Sequence, residues 1–94
     1  MTGPRIKLVD IEQAIELAKR VDYYRFPHTS VTVCCVTLSN GFKVVGYSAA
    51  VSDENFDAEI GRVVALGKVK DNLWELLGFR LKQALFEGPA EDRP

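Results

Sequence analysis

The sequence predicts an α+β fold, and three observations carry that reading. A β-branched run extends from Ser30 to Leu38, Asn40-Gly41 turns it back into Phe42–Val51, and apolar residues at helical spacing lie on both sides of this hairpin. The expected order is an N-terminal helix, an antiparallel β-hairpin with a third short strand left open, and a long C-terminal helix or helical hairpin. The 94 residues are read as one domain, ordered over about 5–87, with 88–94 a disordered tail.

The first helix is placed by Asp10 as N-cap and Gln13 three positions on, as in a capping box. Ile11, Ala14, Ile15, Ala18 and Val21 follow on one side, with Glu12, Glu16, Lys19 and Arg20 mostly on the other. It is expected to stop before Tyr23-Tyr24-Arg25-Phe26-Pro27, since a proline biases the residue before it away from helical geometry.

Both faces of the first strand are largely apolar: Val31, Val33, Cys35 and Thr37 on one, Thr32, Cys34, Val36 and Leu38 on the other. Asn40-Gly41 predicts a type I′ turn. Gly46, inside the second strand, marks either a bulge or a close approach of another backbone. Two strands alone are marginal in water, and one helical layer covers one face. Arg25–Thr29 is the candidate third strand, and further copies of the chain are expected to shelter the rest, which predicts an oligomer.

Ser52, Asp53 and Asn55 are candidate caps for the C-terminal helix. Its predicted apolar face runs through Phe56, Ile60, Val63, Val64, Gly67, Leu73, Trp74, Leu77, Leu81 and Leu85, which places Trp74 in the core. Gly61, Gly67 and Gly78 weaken a helix unless a backbone packs closely on them or the helix breaks. Lys70-Asp71-Asn72 is the expected break, with Asp71 as a second cap, and Gly88-Pro89 the stop.

Composition narrows the function. A net charge of -1 argues against a general DNA or RNA binder, which is usually basic, yet leaves room for a local basic pocket. Adjacent Cys34 and Cys35 point to opposite faces of a strand and read as small hydrophobes, not as a disulfide framework. His28 is the only histidine, so no metal site or Cys-His pair is expected. No apolar leader or membrane-length run occurs, which sets cytoplasm as the expected address and excludes a membrane partner.

Catalytic signatures are lacking. There is no nucleophile-base-orienter set, no phosphate-binding loop and no dinucleotide fingerprint. Asp53, Glu54, Asp57 and Glu59 are better explained by helix capping and the helix dipole than by a divalent ion. The reading is therefore a non-enzyme without a cofactor. The residue types that bind a nucleotide-like ligand are nonetheless present. Tyr23, Tyr24 and Phe26 surround Arg25, Lys43 and Tyr47 share a strand face, and Asn55 and Phe56 follow. Aromatic faces stack bases, cations and helix-start amides hold phosphates, and amides read polar edges. The plainer alternative makes Phe26 and Phe56 core anchors, the tyrosines half-buried surface, and Arg62 and Arg80 exposed ion-pair residues.

Thr32-Val33-Cys34-Cys35-Val36-Thr37-Leu38, Asn40-Gly41-Phe42, Val45-Gly46-Tyr47-Ser48-Ala49, Asn55-Phe56-Asp57-Ala58-Glu59-Ile60-Gly61-Arg62 and Leu73-Trp74 through Gly78-Phe79 resemble a family of small proteins of tailed phages and prophages. Tyr47 stands where that family usually has Glu, Ala50 where Cys is frequent, and Val69 where Ala is usual. The family is in turn similar to the Thoeris anti-defence sponge proteins, which bind messengers derived from cyclic ADP-ribose without catalysis. The resemblance implies a hairpin-plus-helix protomer, an oligomer, a pocket between protomers, and sequestration of a cyclic ADP-ribose-type or cyclic oligonucleotide messenger in the host cytoplasm. Asn55 and Phe56 are the matched candidates for ligand contact, joined on physical grounds by Tyr47, Lys43 and Arg25. The alternative is a phage accessory protein that acts by binding a host or phage protein.

Overall fold

The computed structural model describes residues 5–50 and 57–88. The order is α1 (Leu8–Glu16), β1 (Arg20–Arg25), β2 (Val31–Thr37), β3 (Lys43–Ala49) and α2 (Ala58–Glu87). The strands form one antiparallel sheet in the order β1-β2-β3, and α2 lies across one face of it. This is the expected α+β arrangement, with the third strand present and the C-terminal helix unbroken.

α1 starts earlier than the sequence suggests. Lys7 is the N-cap, and its N–H donates to the Asp10 carboxylate at 2.8 Å, so Asp10 stands at the third helical position and does not cap. The helix stops at Glu16, and the Lys19 N–H donates to the Thr37 carbonyl at 2.8 Å. Val21 and Tyr23 therefore belong to a strand. Arg20–Arg25 has no buried residue, so its sequence lacks the alternation that betrays a half-buried strand. The segment expected to be the third strand is instead a turn. Arg25 Nε donates to the Thr29 carbonyl, Thr29 Oγ1 donates to the Phe26 carbonyl, and His28 takes φ 61.

The hairpin falls where Asn40-Gly41 puts it, but its turn is not type I′. Gly41 N–H donates to the Leu38 carbonyl at 2.8 Å, and Leu38 N–H to the Phe42 carbonyl at 2.8 Å. This three-residue loop has one positive φ, 92° at Gly41, which is a type I turn closed by a glycine bulge. Asn40 Oδ1 accepts from Phe42 N–H and holds the loop.

α2 is capped by Asp57, whose carboxylate accepts from Glu59 and Ile60 N–H. The candidate caps Ser52, Asp53 and Asn55 lie outside the described residues, as does the tail 89–94. The helix runs 30 residues through Lys70-Asp71-Asn72, so Asp71 caps nothing. Its buried side is Gly61, Ala65, Val69 and Leu73, not the predicted stripe. Among the described residues of that stripe only Leu73 is fully buried, while Ile60, Val63 and Trp74 are exposed, Trp74 at 38%.

The reason is Gly46. A Cβ there would lie 2.6 Å from the Ala65 carbonyl oxygen and 2.7 Å from Val69 N. The helix backbone rests directly on β3 at this point. Gly46 thus marks close approach and not a bulge, since the β2–β3 register is continuous. Ile11, Cys34, Val36, Val44, Ala65, Val69 and Leu73 make the core. The second sheet face, with Tyr24, Val33, Cys35, Val45 and Tyr47, has no layer over it among the described residues.

Candidate functional groove at the β3 edge

β3 is an edge strand, and its main chain alternates in direction. The Phe42 carbonyl points to β2, while the Val45 carbonyl accepts from Asn72 Nδ2 at 2.8 Å. Val45, Tyr47 and Ala49 therefore present main-chain N–H and C=O groups away from the sheet. α2 overhangs this edge. Between them lies a groove of about 690 Å³ lined by Tyr47, Ser48, Ile60, Val64, Lys68 and Asn72 among others. That volume lies within the range of small-molecule sites.

Each wall has a local cause. Ser48 Oγ donates to the Gly61 carbonyl at 2.9 Å and ties β3 to the start of α2. Ser30 Oγ donates to the Ala50 carbonyl at 3.0 Å and ties the far end of β3 to the start of β2. Asn72 is a weak helix former in mid-helix, and its amide is used to cap the sheet edge. Lys68 supplies a cation, and Asp57 and Asp71 supply acids. The Glu59 and Ile60 amides at the start of α2 are already engaged by the Asp57 carboxylate.

The named candidates are distributed unevenly. Tyr47 lines the groove and is exposed. Lys43 shares its sheet face but stands four residues away, roughly 13 Å along the strand, where its Nζ donates to the Gly41 carbonyl at 3.1 Å. Arg25 pairs with Thr32 and so lies on the opposite, helix-bearing face at the far edge. Asn55 and Phe56 lie outside the described residues. Tyr24 and Phe26 form an edge-to-face pair at 5.0 Å, while Tyr23 projects from the other face, opposite Cys34. Sequence reasoning missed Ser48, Lys68 and Asn72; the mid-helix asparagine was the available signal.

Burial pushes the Cys34 thiol up from its ordinary value, and burial does the same to the Tyr23 phenol. Neither faces the groove. Among the described residues, no group of three or more His, Cys, Asp or Glu side chains could hold a metal. No described helix is long and apolar enough to cross a membrane.

No curated protein and no solved structure matches the chain. A family model does match, over residues 6–85, which takes in every element from α1 to almost the end of α2. The chain belongs to the phage protein family described as N4 Gp49/phage Sf6 gene 66.

Proposed function

We propose that this phage-family protein binds a nucleotide-derived signalling molecule and holds it without chemical change, thereby silencing a host immune pathway. The groove beside Tyr47 carries this reading. It offers one exposed aromatic face for a base, the Lys68 ammonium for a phosphate, and an edge strand with Ser48 and Asn72 to read polar base edges. Among the described residues, no nucleophile with an orienting base lines it. The resemblance to the Thoeris sponge proteins points to a cyclic ADP-ribose type of messenger, with cyclic oligonucleotides as the neighbouring class. In this reading the cavity is completed by a further copy of the chain, and Asn55, Phe56, Lys43 and Arg25 contribute where copies meet.

Isothermal titration against cyclic ADP-ribose isomers and cyclic di- and trinucleotides tests it. The expected result is saturable binding by one class, with ligand of unaltered mass recovered after denaturation. Silence across the panel removes the reading, and a changed mass replaces it with an enzyme.

A second reading has its own observation. α1, the hairpin tip and the C-terminal half of α2 enclose a groove of about 870 Å³ that exposes Leu17, Phe42 and Phe79. Such an apolar patch suits a protein partner. Pull-down from host lysate with wild type and with Phe42→Asp/Phe79→Asp is the test. Capture of one partner that the double variant loses supports this reading, and identical captures count against it.

A further inference from the structure

We infer that the β3 edge takes an extended segment of a partner protein as a fourth, antiparallel strand. The segment carries an apolar side chain under Ile60 and Val64 and, two residues on, a carboxylate at Lys68. An edge strand presents unpaired N–H and C=O groups at alternate residues, and what matches such a row is another extended main chain. On β3 the outward row belongs to Val45, Tyr47 and Ala49. Leu38 N–H donates to the Phe42 carbonyl, and the register is continuous from there to Val31↔Ala49. Asn72 Nδ2 occupies the Val45 carbonyl at 2.8 Å and so marks one end of the open row. Tyr47 and Ala49 have no outward main-chain partner among the described residues.

α2 supplies the selection among side chains. It runs antiparallel to β3: Ser48 reaches the Gly61 carbonyl, Gly46 lies under Ala65 and Val69, and Asn72 meets Val45. The helix side chains that border the groove, Ile60, Val64, Lys68 and Asp71, therefore follow the strand in order. Side chains of an added strand alternate between the two faces. The residue opposite Ser48 points toward Ile60 and Val64, both exposed. The residue opposite Gly46 points toward Lys68, whose ammonium has no hydrogen bond or ion pair among the described residues. The next residue on that side, past the Asn72 stop, meets Asp71. The matching segment reads apolar-x-acidic-x-basic from its N- to its C-terminus.

A second copy does not fit this edge. Because α2 rests on Gly46, joining β3 to β3 brings two helices to roughly 5 Å, the strand spacing, against the roughly 8–10 Å that packed helices need. β1 of another copy joins β3 only head to tail, which repeats into an open filament. The occupant that clears α2 is a strand with no layer over it, a linear segment of another protein. The inference does not rest on the messenger reading. Segment and messenger both use Ser48 and Lys68, so each displaces the other.

Fluorescence polarisation with a labelled peptide, Thr-Val-Thr-Glu-Thr-Lys between Gly-Ser flanks, tests it on the full chain. Saturable binding is expected, and N-methylation of the peptide locates the contact. The Thr N–H groups face β3, while the Val N–H faces away. Methylating the middle Thr removes the donor to the Tyr47 carbonyl and should weaken binding about tenfold or more. Methylating the Val should change it less than about twofold. Lys68→Glu should lose this peptide and take the one with Lys in place of Glu. Amide exchange at Tyr47 and Ala49 should slow on binding, as their N–H groups become paired. No binding at millimolar peptide, equal effects of the two methyl groups, or an unchanged charge preference in Lys68→Glu overturns the proposal. No nucleotide enters these readouts. An inert nucleotide panel removes the messenger reading alone, and an inert peptide removes this proposal alone.

Discussion

At Gly46 the missing Cβ is what lets α2 touch β3. An alanine there would place its methyl 2.6 Å from the Ala65 carbonyl oxygen and 2.7 Å from Val69 N, and neither backbone atom can swing aside. Gly46→Ala is expected to cost about 1–3 kcal/mol, read as a lower urea midpoint at unchanged slope. Thr32 poses the opposite case. It is 3% exposed, and its Oγ1 has no partner among the described residues. Thr32→Val replaces a buried orphan hydroxyl with a methyl of similar size, so stability should rise by about 1 kcal/mol in the same measurement. Cys34 and Tyr23 add a pH dependence. Both hold their protons more tightly folded than unfolded, so above the ordinary thiol value of 9.0 the unfolded chain binds fewer protons than the native one. Their stabilising contribution is complete below that pH and is lost as pH rises through the folded values. Thermal melts should fall above about pH 9, and Cys34→Ala should flatten the fall.

Elements explain why some of this fold was legible and some was not. β2 and β3 announce themselves through β-branched residues and Asn40-Gly41, because a buried central strand and a tight turn each restrict residue choice. β1 is exposed along its length, so nothing in Arg20–Arg25 distinguishes it from the end of an amphipathic helix. α2 misled in an instructive way. Most of its larger apolar residues face outward, and its sheet-facing side opens with Gly61 and Ala65 before Val69 and Leu73, because the helix backbone at Ala65 and Val69 lies directly on Gly46. The groove was hidden for the same reason: Lys68 and Asn72 acquire meaning only once α2 is known to run unbroken over the β3 edge. The start of α2 hangs on Asp57. Its carboxylate takes two N–H groups, so Asp57→Ala should cost about 1 kcal/mol and fray the first turn, seen as faster amide exchange at Glu59 and Ile60.

The molecule as a whole is one helical layer over a three-stranded sheet, and that leaves it thin. One sheet face and one helix face carry apolar residues with nothing over them among the described residues, while the groove sits between these two surfaces. A site in that position gains its shape from both layers, since the β3 edge gives main-chain groups and α2 gives Lys68 and Asn72. Binding then draws on two separable terms. Stacking on Tyr47 is tolerant of base identity and is worth about 1–3 kcal/mol per base, so Tyr47→Ala should weaken binding about fivefold or more with little change in salt dependence. The Lys68 term is electrostatic and falls with added salt, so Lys68→Ala should weaken binding and also flatten its dependence on ionic strength. Neither side chain makes a hydrogen bond or ion pair among the described residues, so both variants should keep the wild-type urea midpoint. Titration of both variants at two salt concentrations separates the terms. If the variants bind the messenger as wild type does, the ligand sits elsewhere on the chain, and the β3 groove is only the space that a helix leaves when it crosses a sheet edge.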